Sequence, residues 1–295
     1  MKKRIAIAVA VLFTLAAAAQ KIPLQNTILW KISGNGLTEN SFIYLTGKSC
    51  DENLKLDDKS KNAFNAVKTI AAEYDLYGSK DAGKLARGNI ALADSQKIKN
   101  NLTTAQIAAF ENKLKDAGYP AQALPQLQAY KLNMVYFMLA TLTGPCGTER
   151  QPLAYEIDLR SLAKKANKEF AVLQTIDDVL TETGKMDSYY WKKNIGYLLD
   201  NEDNAKTEYN QEAALYKEAS LKELQKLYNS SLLFTQLYKT GLQKEHVLFL
   251  SDKIEQAAKA GSNFFTVQFS NIIYSELSVF EILAARGYTI TPVLN

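Results

Sequence analysis

Short runs of apolar and β-branched residues recur at Thr27–Ile32, Phe42–Leu45, Thr69–Tyr74, Phe170–Leu173, Phe264–Phe269 and Thr289–Val293. Runs of this length and make-up read as strands. Between them the apolar positions change to helical spacing. The clear cases are Lys59–Val67, Thr104–Lys115, Leu124–Leu142, Ala154–Ala166, Ser220–Tyr238, Lys244–Lys259 and Ser275–Arg286. Thr104 and Asp187 are candidate helix starts, and Gly118, Gly261 and Gly287 are candidate stops. Strands separated by helices predict an α/β fold with a central mixed β-sheet flanked by helices. The stretch from about 175 to 242 holds no strand run and few glycines. It reads as a long helical insertion before the last two strands. Strands from both halves of the chain then share one sheet, so residues 20–295 are expected to form a single domain.

The N-terminal residues break this pattern. Lys2, Lys3 and Arg4 precede an apolar stretch from Ile5 to Leu15, followed by Ala17-Ala18-Ala19. This is the order of a cleaved signal peptide over residues 1–19, and it predicts a periplasmic or secreted protein of bacterial type. No later run is long enough for a transmembrane segment. Charged residues make up 22% of the chain and the net charge is only +4. No basic cluster is interleaved with aromatics, so nucleic acid is not an expected partner.

Few residues could carry chemistry. No Gly-x-Ser-x-Gly elbow occurs, and Gly34-Asn35-Gly36 reads as a turn between strands, not a phosphate loop. The chain has a single histidine, His246, near the start of an amphipathic helix. Its ordinary reading is a boundary residue. A catalytic zinc takes three protein ligands, mostly histidine with a carboxylate. One histidine does not supply them, so neither a metal nor any other cofactor is expected.

The segment ILWKISGNGLTENSFIYLTGKSC (Ile28–Cys50) reads as two strands joined by a Gly/Asn turn. It resembles the opening of the TraB/GumN family, to which the Tiki metalloproteases are related. That family usually opens with LLWKI, a glycine turn and a strand ending Gly-x-x-His. Here the strand ends Gly47-Lys48-Ser49-Cys50, without the histidine. CDENLKLDDKSKNAFNAVKTIAAEYDL (Cys50–Leu76) is similar to the family's next helix and strand, and Glu73 matches the strand's glutamate. In AYEIDLRSLAKKANKEFAVLQT (Ala154–Thr175), Glu156 keeps the family's acid. Gln174 stands for a second glutamate and Ala154 for a glycine. Near the C-terminus Gln268, Ser270 and Asn271 stand where the family has Gly, Gly and His. No arginine occurs near Glu245–His246, where the family has one. The ending Gly287–Val293 fits well.

The resemblance implies a cleft lined by Gly47, Gln174, His246 and Asn271. Glu73 and Glu156 remain as candidate catalytic acids, close together and beside Asn271. Loss of the histidines implies a pseudoenzyme that binds a ligand or a protein partner. The alternative is a divergent hydrolase or protease using Glu73 and Glu156, with a hard divalent cation such as calcium or magnesium or with none. The resemblance also places Cys50 and Cys146 on the cysteines of secreted relatives. An even pair in an exported chain predicts a disulfide. By chain entropy it is worth about 4–5 kcal/mol.

Overall fold

The computed structural model describes residues 21–51, 53–75, 82–88, 90, 97–121, 124–127, 129–147, 152–234, 241–273 and 277–294. The expected signal segment, 1–19, lies outside them. The strands are β1 (Leu29–Gly34), β2 (Ser41–Thr46), β3 (Thr69–Ala72), β4 (Glu169–Val172), β5 (Asn263–Gln268) and β6 (Tyr288–Pro292). They form one six-stranded sheet in the order β4-β3-β5-β2-β1-β6. β4, β3, β5 and β2 run parallel to one another, while β1 is antiparallel to both β2 and β6. The fold is α/β with a mixed central sheet.

The β1–β2 turn is set by local chemistry. Gly34, Asn35 and Gly36 have φ of 81°, 46° and 76°. Glycine adopts this region freely and asparagine tolerates it. The Asn35 Nδ2 also donates to the Arg286 carbonyl at 2.8 Å, tying the turn to the chain that enters β6.

The helices are α1 (Asp58–Ala66), α2 (Ala82–Gly88), α3 (Thr104–Asp116), α4 (Leu124–Leu127), α5 (Leu132–Thr143), α6 (Tyr155–Lys165), α7 (Ile176–Lys185), α8 (Ser188–Asp200), α9 (Glu202–Lys217), α10 (Leu221–Ser230), α11 (Gly241–Ala260), α12 (Ser270–Ile273) and α13 (Val279–Ala285). Capping boxes start α3 at Thr103, α7 at Thr175 and α13 at Ser278. In each, a hydroxyl and the residue three positions on satisfy backbone N–H groups reciprocally. α7 to α10 fill the stretch read as an insertion.

Strand periodicity divides the core. Leu29, Tyr44, Ile70 and Phe264 face α1 and α6. Their neighbours Trp30, Ile43, Ala71 and Phe265 face the larger layer that includes the insertion. Adjacent side chains on a strand point to opposite faces, so each strand serves both layers.

Two expected helices differ. Leu124–Leu142 is broken between α4 and α5. Tyr130 makes an isolated antiparallel bridge with Ile90, and Lys131 is extended, with its Nζ donating to the Gly88 carbonyl at 2.7 Å. A tertiary contact therefore overrides helical spacing. In Ser220–Tyr238 the chain leaves the helix at Ser231, whose hydroxyl accepts from the Phe234 N–H at 3.2 Å and starts a new turn. Residues 235–240 and 274–276, within two of the expected helices, lie outside the described residues.

Candidate functional site

The parallel strands β2, β5, β3 and β4 deliver their C-terminal ends to one edge of the sheet. In open α/β sheets that edge is where ligands bind. The residues just past the strand ends are Gly47–Cys50, Gln268–Asn271, Glu73–Asp75 and Leu173–Gln174. Most positions singled out by the resemblance therefore share one edge. Helices supply the others: Glu156 from the first turn of α6 and His246 from α11.

Glu73 is the centre of a closed polar cluster. The residue is 5% exposed. One oxygen, Oε2, accepts from the Gln268 backbone N–H at 2.7 Å. The other, Oε1, accepts from Asn271 Nδ2 at 3.0 Å and lies 3.4 Å from His246 Nε2. The second imidazole nitrogen, Nδ1, lies 3.0 Å from Glu182 Oε2 on α7. Gln174 Nε2 donates to the same Glu182 oxygen at 3.2 Å. The Gln174 backbone N–H donates to the Glu73 carbonyl at 2.9 Å.

These contacts decide the state of His246. Burial works against its charge, but hydrogen bonds to Glu182 and Glu73 and their negative charges outweigh it. Its pKa is raised to about 10. The imidazole is therefore a cation at neutral pH, with both nitrogens donating. His246 is not a simple boundary residue; it bridges two carboxylates.

Glu156 stands in the first turn of α6, near enough for the charge of Glu73 to act on it. Its carboxyl holds a proton more tightly than an ordinary glutamate, chiefly because burial penalises its charge. A hydrogen bond to its own backbone N–H opposes this, and the nearby charge of Glu73 adds to it. The neighbouring acids are used elsewhere. Asp75 pairs with the Arg160 guanidinium, and Asp158 accepts from the Leu54 N–H.

Gly47 keeps different company. A Cβ there would lie 2.7 Å from ring atoms of both Phe269 and Tyr216. Tyr216, from α9, donates to the Leu45 carbonyl at 2.9 Å and receives the Tyr155 hydroxyl at 3.2 Å. The insertion thus packs directly on the end of β2. Three residues further on, Cys50 and Cys146 form a disulfide with their Cα atoms 5.3 Å apart. It ties the β2 end to the end of α5, and the Leu153 N–H donates to the Ser49 carbonyl at 2.8 Å beside it.

The family's profile matches residues 28–292 under the description TraB/PrgY/gumN family. The chain belongs to the TraB/PrgY/gumN family. No curated protein and no solved structure gives a match. The donor set does not fit the metal that the resemblance implies for TraB/GumN proteins. Both Glu73 oxygens and both His246 nitrogens already face protein partners. Among the described residues, no group of three or more His, Cys, Asp or Glu side chains is arranged to hold a metal ion.

Sequence reasoning missed Glu182, although its signal was present. Thr175 and Asp178 mark a helix start, and Glu182 lies two turns in, on the side facing back to Gln174. It also missed Lys48 and Glu212. Glu212 is 3% exposed in the middle of α9 and accepts from the Tyr228 hydroxyl at 2.6 Å.

Proposed function

We propose that this TraB/PrgY/gumN protein is exported and acts by binding a ligand or protein partner at the C-terminal edge of its sheet, without the metal chemistry of its relatives. The observation that carries the reading is the seat of His246, held as a cation between Glu73 and Glu182. A protonated imidazole offers no lone pair to a metal and neutralises the acids that would otherwise attract one. The cluster joins β3, β5, α7 and α11 as a strut. Support for export comes from the Cys50–Cys146 disulfide, which persists in oxidising compartments, together with the signal-like residues 1–19. Among the described residues no helix is long and apolar enough to cross a membrane.

The test is thermal unfolding of the dialysed protein with added zinc, manganese, calcium or magnesium, alongside metal analysis. The expected result is no stoichiometric metal and no metal-induced stabilisation. A stabilisation abolished by Glu73→Gln would overturn the reading.

One observation favours a second reading, a divergent hydrolase. Burial raises the proton affinity of Glu156, and the nearby charge of Glu73 adds to it, which is the direction a general acid needs. On that reading, screening ester, peptide and glycoside substrates finds a turnover that either Glu73→Gln or Glu156→Gln removes. On the binding reading no such turnover exists.

A further inference from the structure

β4 is an outer strand of the sheet and pairs only with β3 among the described residues. The hydrogen bonds to β3 fix which of its backbone groups are used. The Glu169 N–H donates to the Lys68 carbonyl at 3.3 Å, and the Leu173 N–H donates to the Ala72 carbonyl at 2.8 Å. In a parallel pair, alternate residues turn both backbone groups to the same neighbour. Glu169, Ala171 and Leu173 therefore face β3. Phe170 and Val172 turn their N–H and C=O groups outward, where an outer strand has no neighbour. Among the described residues nothing bonds to those four groups. Glu169, Ala171 and Val172 are exposed, so this side of the sheet is open.

The opposite outer strand, β6, is protected. The Val293 N–H donates to the Leu29 carbonyl at 2.9 Å, so in the β1–β6 register Tyr288, Ile290 and Pro292 turn outward. Pro292 has no N–H to offer, a common way of blunting an outer strand. β4 contains no proline and no lysine, and its single charge is Glu169 at its start. The chain around β4 is also charged asymmetrically. Exposed Lys164 and Lys165 precede it at the end of α6, without an ion pair among the described residues. Asp177, which also meets Lys84, and Asp178 follow it at the start of α7. An antiparallel second copy sets the basic end of one chain beside the acidic end of the other. A parallel copy would set like beside like.

We propose that β4 is the interface of a homodimer, with the β4 strands of two copies antiparallel about a two-fold axis at Ala171. In that register Phe170 stands opposite Val172 of the second copy, and Val172 opposite its Phe170. Each pair exchanges two hydrogen bonds, and together they use every outward N–H and C=O of both strands. Phe170 and Val172 lie on the α6 face, where Phe170 packs on the core and the Arg160 guanidinium lies 4.4 Å from its ring centre. Cross-strand aromatic–β-branched pairs are favourable. Ala171 meets its own counterpart, and its small side chain allows the close approach of that position, about 4.5 Å between Cα atoms. Glu169 stands opposite Leu173, so no like charges are directly opposed. The same patch serves both copies, as two-fold symmetry requires. The result is one continuous sheet whose two outer strands are both the protected β6. The proposal is independent of the reading of the Glu73 site, because it rests on the backbone of β4.

The test is sedimentation equilibrium of the full chain from about 1 μM to about 1 mM. Four-residue strands make a small contact, so the dimer should be weak and concentration-dependent. Val172→Pro deletes one outward donor per copy and leaves the bonds to β3 intact. It should fold normally and raise the dimer dissociation constant at least about tenfold. Ala171→Lys sets two like charges face to face and should weaken the dimer to a similar extent. Ala171→Cys should form an intermolecular disulfide on mild oxidation, because the opposed Cα atoms fit one. Glu169→Cys should not, since its counterpart lies about 13 Å away along the strand. If Val172→Pro does not fold, Ala171→Lys and the cross-link decide. A chain still monomeric at about 1 mM would overturn the proposal and leave β4 to an extended segment of another protein or to none. A dimer that survives Val172→Pro and Ala171→Lys and does not cross-link at position 171 would overturn it by placing the contact elsewhere.

Discussion

Two charged sites lie at the same edge of the sheet and are built on opposite principles. Around Glu73 every charge touches its partner: imidazole to both carboxylates, amide and backbone N–H to the remaining lone pairs. Around Lys48 the charges are separated, with an aromatic ring under the amine and an unpartnered oxygen on the acid. A satisfied buried network rigidifies and specifies a fold, whereas an incompletely satisfied one costs stability. The contrast teaches that the matched family positions around Glu73 are tied to one another and to Glu182 by hydrogen bonds and ion pairs. The buried acid with an unpartnered oxygen, Glu212, is one that none of the matched motifs marks.

The largest way to break the comparison is to cut the Cys50–Cys146 bridge, which closes a 96-residue separation. The Cys50→Ser, Cys146→Ser protein should lose about 4–5 kcal/mol in urea unfolding. Hydrogen exchange should quicken at the Lys48 and Ser49 amides, while the Gln268 amide, bonded to Glu73, stays protected. Equal loosening at both places would mean that the two sites are one unit.

The Glu73 site alone should respond to alkali. The folded pKa of His246 is about 10, above its unfolded value of 6.5. Its stabilisation is therefore complete below pH 6.5 and is lost as pH rises through about 10. Allowing for its partial exposure, the loss is about 3 kcal/mol. Urea midpoints at pH 6 and pH 10 should differ more in the wild type than in His246→Gln. Parallel pH profiles for the two proteins would remove His246 from the account.

A smaller effect is expected at Gly47. Adding a methyl against Phe269 and Tyr216 should destabilise by about 2 kcal/mol through overpacking. The test is urea unfolding of Gly47→Ala, with the pH profile of the Glu73 site expected to stay intact. The smallest effect is at Glu156. Because its folded pKa is raised, the ionised form is penalised in the folded state at neutral pH. Glu156→Gln should gain under about 1 kcal/mol at pH 7 and nothing at pH 3, where the wild type is protonated too.

The sheet was largely legible because its strands are short apolar runs between clear helices. Even β4, whose residues are mostly exposed, was marked by Phe170 and Val172. Helix interruptions were not legible: the break before Lys131 depends on a bridge to Ile90, far away in sequence. At the site, motif matching led to Glu73, Gln174, His246 and Asn271, which the structure joins through the carboxylates of Glu73 and Glu182. It could not show that His246 is charged, since that follows from Glu182 together with Glu73, and Glu182 stands in none of the matched motifs. Nor could it find Lys48 and Glu212. A lysine beside a glycine and a glutamate inside a helix look ordinary until the fold sets the one over the Tyr209 ring and buries the other.

The position of β5 has a consequence for how the chain folds. It lies between β3 and β2, yet it is made of residues 263–268, almost two hundred positions after β3. Until that segment arrives, the β2 and β3 backbones each present an unpaired inner edge. Such distant pairings are slow to form, and bare edges invite association between chains. The N-terminal half should therefore depend on a chaperone, or on being kept unfolded, for as long as synthesis of the last segment is incomplete.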